Sequence, residues 1–152
     1  MSLIKNELSA QLDDVTRVAS ETLELFADLA AGVEPPELAR LLDRQSKTLR
    51  RLVDEISEHR RRRGELPEAG DPERAHLRAA AARLRASVLP GRAAASYAES
   101  ILDAAATLRA EIEEALAAGP DDRLRALLED MKRETDDFEQ DVRSLVPDAR
   151  PR

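Results

Sequence analysis

Residues 29–42 read LAAGVEPPELARLL, and residues 116–128 read LAAGPDDRLRALL. Each stretch runs from an Ala-rich helix end through a glycine and proline turn into Leu at the three- and four-residue steps of a new amphipathic helix. Proline suits the start of a helix, where its missing N–H removes no bond. Gly32 is the expected left-handed stop of the first helix, and Gly119 with Pro120 stops the third. Two helix–turn–helix stretches in one chain predict a pair of similar helical hairpins. With one gap, Leu38, Leu41 and Leu42 map onto Leu124, Leu127 and Leu128, while Leu52 and Ile56 map onto Phe138 and Val142.

Working outward, helix 1 is expected to begin at residue 3 or 9 and end at 31, with Leu8, Leu12, Val15, Ala19, Thr22, Phe26 and Leu29 on one stripe. Helix 2 covers residues 36–62 on Leu38, Leu41, Leu42, Gln45, Leu49, Leu52, Val53 and Ile56, and Gln45 and Thr48 interrupt its apolar face. Gly64 and Pro67 end it, and residues 64–73 (GELPEAGDPE) form a loop. A short helix over residues 72–88 follows, capped by Asp71. Helix 3 covers residues 92–118 with Tyr97, Ile101, Ala105, Leu108, Ile112 and Leu116 inward. Asp121 or Asp122 caps helix 4, which carries Leu124, Leu127, Leu128, Met131, Phe138, Val142 and Leu145. Pro147 closes that helix. Residues 1–146 therefore read as one domain and 147–152 as a flexible tail.

Composition agrees with this layout. The chain has 152 residues, enough for a core without staples. Aromatics make up 2% and cysteine is absent, so the core is Leu and Ala, and disulfides, thiolate catalysis and cysteine zinc sites are excluded. No apolar run approaches the ~20 residues of a membrane span. The N-terminus lacks the apolar core of a secretory signal, so the cytoplasm is the expected compartment. Charge is uneven. Residues 1–34 hold two bases and seven acids (net −5), residues 35–92 fourteen and nine (+5), and residues 93–152 eight and fifteen (−7). Neighbouring helices of opposite sign within one bundle would produce this pattern; so would a basic strip for an anionic partner.

Two hairpins give four long helices, and the long connection between them lets helices 2 and 3 run parallel, the one-crossover arrangement of ferritin-like bundles. The expected fold is thus an all-α, up-down four-helix bundle of two αα-hairpins joined by a crossover containing a short helix. With GVEPPELARLLDRQ (residues 32–45) and PDDRLRALLEDMKRE (residues 120–134), in which a Pro or Asp loop enters an amphipathic helix, residues 5–146 resemble the ferritin-like superfamily. The chain looks most like a bacterial branch of that superfamily. The resemblance implies the fold, but the di-metal chemistry of the superfamily needs Glu from two helices and Glu-x-x-His from the other two. No Glu-x-x-His occurs, and the histidines are His59 and His76. Gln45 with Thr48, and Met131 with Glu134, stand at the ligand places of helices 2 and 4, and Ala104, Ala105 and Leu108 face inward on helix 3. No metal ligand, cofactor or catalytic residue is expected.

His59 is followed by four arginines and lacks the lysine and spacing of a phosphotransfer histidine. Glu21, Gln45, Thr48 and Glu134 are the candidate mid-bundle polar positions. Arg40, Arg44, Lys47 and Arg51 fall at i, i+4, i+7 and i+11 on one face of helix 2 and are the candidate anion or partner surface. Stacking aromatics are missing and acids are interleaved, so nucleic acid ranks behind a protein partner. The expected function is non-enzymatic protein–protein interaction or self-assembly as a homo-oligomer. The alternatives are an atypical ferritin-like, stress-related metal-binding protein and an anion or nucleic-acid adaptor.

Overall fold

Leu and Ala recurring at three- and four-residue steps roll into helices that hide one stripe each. The computed structural model describes residues 2–65 and 94–147, with side chains over 7–65 and 97–147. The described residues form α1 (Ser2–Ala30), α2 (Pro36–Arg62), α3 (Ala94–Ala117) and α4 (Asp122–Leu145), with no strand among them. The expected short helix at 72–88 and all but the first residue of the expected 147–152 tail lie outside the described residues. No described helix is long and apolar enough to cross a membrane.

α1 packs on α2 and α3, and α4 packs on the same two, so α1 faces α4 and α2 faces α3 across the diagonals. Ion pairs set the directions. Arg60 near the end of α2 reaches Asp13 near the start of α1, Arg44 reaches Asp141 late in α4, and Lys132 of α4 reaches Glu113 of α3. His59 and Arg63 meet Asp121, which lies between α3 and α4. Each hairpin is antiparallel, and α2 and α3 finish at the same end and run parallel.

The core is one cluster of Leu, Ile, Val, Ala, Met and Phe contributed by all four helices. Burying each large side chain favours the fold by roughly 1.5–3 kcal/mol. Phe26 and Phe138 meet across the α1/α4 diagonal with ring centroids 5.1 Å apart and planes inclined at 41°, a tilted pair that adds to simple burial. The expected stripes are buried except at their ends, where Leu8, Tyr97, Leu116 and Leu145 are half-buried, as is Val53.

The duplication is clearer in burial than in sequence. The eight buried residues of α2 are Leu38, Leu41, Leu42, Gln45, Leu49, Leu52, Ile56 and Arg60. Each has a buried counterpart 86 positions on: Leu124, Leu127, Leu128, Met131, Thr135, Phe138, Val142 and Val146. The same spacing relates Leu12, Val15, Ala19, Thr22, Phe26 and Leu29 of α1 to Ala98, Ile101, Ala105, Leu108, Ile112 and Ala115 of α3. No gap is needed. The LAAG likeness places Leu29 on Leu116, but Leu116 is half-buried and Ala115 occupies the inner place. α3 continues one residue further than α1 in this register, which displaces the look-alike turn relative to the core.

Helix ends differ from expectation at Gly32, which does not take the left-handed conformation; among the described residues the glycines that do are Gly64 (φ 69°) and Gly119 (φ 77°). The end of α1 is closed instead by the Gly32 and Val33 amides, which both donate to the Leu29 carbonyl at 3.1 and 2.9 Å, and Val33 turns into the core. Pro36 opens α2 as expected, and Pro35 before it supplies no side-chain cap. At α4 Asp121 is the cap: its carboxylate accepts from the Leu124 amide at 2.9 Å.

Candidate interaction surface

Polar groups inside the bundle come first, because catalysis or metal binding would need them there. Of the four expected mid-bundle positions only Gln45 is buried, at 6% exposure. Thr48 and Glu134 are half-buried, and Glu21 lies at the bundle's edge, where Arg17 of the same helix meets it at 3.5 Å. Two buried threonines share the interior with Gln45. Thr22 donates to the Val18 carbonyl at 2.8 Å and Thr135 to the Met131 carbonyl at 2.7 Å. Both hydroxyls are thereby tied to the preceding turn of their own helix, as buried helical threonines usually are. Thr22 lay on the apolar stripe in the sequence. Thr135 is one turn beyond Met131, and its place is evident only by comparison with Leu49 of the first hairpin.

Buried charge occupies two further places. Arg60 is 2% exposed. Its guanidinium donates to Asp13 and to the Ser9 hydroxyl, both at 2.9 Å. Glu139 is buried between α3 and α4 and pairs with Arg109, while Arg143 lies 3.5 Å away and Arg109 also meets Asp136 at 2.9 Å. In the sequence both read as surface charge, Glu139 among the carboxylates of helix 4 and Arg60 among the arginines that extend the basic row of helix 2. Arg60 is one of four consecutive arginines, and only packing against α1 distinguishes it from its neighbours. Among the described residues no group of three or more His, Cys, Asp or Glu could hold a metal ion.

His59, the histidine of α2, places its Nε2 3.0 Å from Asp121. Arg63 meets the same carboxylate oxygen. The carboxylate thus caps α4 and ties the end of α2 to it.

The candidate basic surface is exposed and each member has a carboxylate neighbour. Arg40 meets Glu37 at 3.4 Å, Arg44 meets Asp141 at 3.4 Å, Lys47 meets Asp43 at 3.1 Å and Arg51 meets Glu55 at 3.4 Å. Only the Arg44 pair joins two helices. Exposed pairs of this kind contribute ~0–1 kcal/mol, so they mute the strip without locking it. A shallow groove of about 660 Å³ begins at Lys47 and continues past Arg51 to Arg62, with Arg123 of α4 on its other bank. The expected strip and this groove share only Lys47 and Arg51. The groove is lined by six bases, three acids and His59, a formal +3 with the histidine neutral.

In comparisons with known proteins no family model matches the chain, and neither a curated protein nor a solved structure is similar to it.

Proposed function

We propose that the chain is a non-catalytic helical bundle of the bacterial cytoplasm that works by contact with a protein partner or with another copy of itself. The contrast between its inside and its outside carries this reading. Inside, Thr22 and Thr135 bond the preceding turn of their own helices, and Arg60 and Glu139 form ion pairs, although the Arg60 Nε has no hydrogen-bond partner among the described residues. The groove with unbalanced charge is on the exterior, along α2. A ferritin-like outline is supported by the parallel course of α2 and α3. That outline is proposed here for the fold and not for metal chemistry.

The experiment is sedimentation velocity of the purified full chain over a wide concentration range, with metal content measured on the same chelator-free preparation. Concentration-dependent association, or a stable complex with a partner protein, is the expected result. A strictly monomeric chain carrying stoichiometric iron or manganese would replace this reading with the metal-binding alternative.

A further inference from the structure

The charges along the groove are not uniformly positive; they alternate in blocks. Lys47, Arg50 and Arg51 make a basic block, Asp54, Glu55 and Glu58 an acidic one, and Arg61 and Arg62 a second basic one. The block centres are about six residues apart, which is ~9 Å, or nearly two turns, along a helix.

The acidic block is oversubscribed. Glu55 lies near both Arg51 and Arg123, at 3.4 and 3.6 Å, and Glu58 near both Arg61 and Arg62, at 3.3 and 3.4 Å. A guanidinium offers five donors in a planar fork, so two arginines sharing one carboxylate keep donors for another. Arg50 and Asp54 stand one helical turn apart on the exposed face and neither has an ion pair among the described residues. An incoming anion is therefore favoured near Arg50 and near Arg61 and Arg62, and an incoming cation near Asp54.

Resting on the proposed role in protein contact, we infer that this groove docks an acidic amphipathic helix of a protein partner, with two carboxylate clusters flanking a basic one at two-turn spacing. Such a helix lies along α2 and places each of its blocks on the opposite sign. A nucleic-acid duplex fits less well, because its phosphates present one sign continuously, about one charge per 1.7 Å of axis, and would meet Asp54, Glu55 and Glu58.

The test uses the full chain and three labelled probes in fluorescence anisotropy at low salt. The first is an Ala-based helical peptide with Glu, Lys and Glu clusters at two-turn spacing. The second has the same composition with the clusters merged, and the third is a short DNA duplex. The patterned peptide is expected to bind about tenfold more tightly than the merged one, a difference of ~1.4 kcal/mol, and added salt should weaken it. The double substitution Arg50→Glu with Arg62→Glu, both at exposed positions, should abolish that binding, and a charge-swapped peptide should restore it. Circular dichroism confirms that the variant folds. Equal binding of both peptides, tighter binding of DNA, or indifference to the charge reversal would each overturn the inference. If the groove fails while the chain still self-associates in sedimentation, the broader reading stands and only this surface is lost.

Discussion

At the turn after α1, Val33 turns into the core, Gly32 keeps an ordinary backbone and Pro35 precedes α2 without a side-chain cap. At the turn after α3, Pro120 is buried, Gly119 is left-handed and Asp121 caps α4 while holding His59 and Arg63. The two hairpins share one burial register but close by different means. A core register is a property of helix periodicity and tolerates only matching side chains. A turn must merely reverse the chain and satisfy the last carbonyls and first amides, and several local arrangements achieve that. The same contrast appears at the far ends. Arg60 of α2, anchored by α1, occupies the place that Val146 fills after α4.

The comparison can be broken most severely at equivalent core positions. Phe138→Ala is expected to cost about 3–5 kcal/mol, and more than Leu52→Ala at the matching place, because Phe138 also forms a ring pair with Phe26 across the diagonal. Urea denaturation of both variants measures the difference, and equal losses would show that the ring pair adds nothing.

Asp13→Ala removes a partner of a nearly fully buried guanidinium and is expected to destabilise by about 1–3 kcal/mol. The value should fall in the lower part of that range, since the Asp13 side chain is 63% exposed. Adding Arg60→Met should recover most of the loss, because the charge that needed pairing is gone and the second hairpin already holds an apolar residue at the matching place. No recovery in the double variant would mean that Arg60 contributes chiefly through packing of its stem.

The turns provide the smaller effects. Gly119→Ala places a Cβ at a left-handed position and should cost about 1–2 kcal/mol, although the space around it is open. Asp121→Ala should cost about 1 kcal/mol through the lost cap and release His59 and Arg63, which shift in NMR spectra would report. Gly32→Ala meets no atom within 4 Å and no positive φ, so it should be neutral or stabilise by about 0.4–1 kcal/mol through the unfolded chain. A loss at Gly32 as large as that at Gly119 would erase the distinction between the turns.

Much of the fold was legible because helical periodicity is local. The Leu stripes of α2 and α4, Pro36 at a helix start and an aspartate cap at 121 or 122 follow from residue type and spacing alone; the structure selects Asp121. The mid-bundle positions were legible only in part. Gln45 faces inward and Glu21, between Val18 and Leu25 on one strip, lies at the edge as that strip suggests, but Thr48 and Glu134 are only half-buried, since a small helix rotation separates these outcomes and the sequence does not specify rotation. The buried roles of Arg60 and Glu139 escaped because charged residues on a helix are ordinarily solvated, and their burial depends on Asp13, Ser9 and Arg109, which are distant in the chain.

Local sequence was enough to make the described chain helical, to place the ends of its helices and the starts of α2, α3 and α4 to within a few residues, and to turn most of the right side chains inward; the start of α1 stayed open between residues 3 and 9. Those properties follow from propensity and a period of 3.6, which need no partner. Packing alone settled that α1 faces α4 and α2 faces α3 across the diagonals, that one arginine of four consecutive arginines is interior, and that the groove of unbalanced charge lies further along α2 than the candidate strip. Each depends on which helix lies alongside which, and that is settled by packing and long-range pairing rather than by any stretch of chain alone.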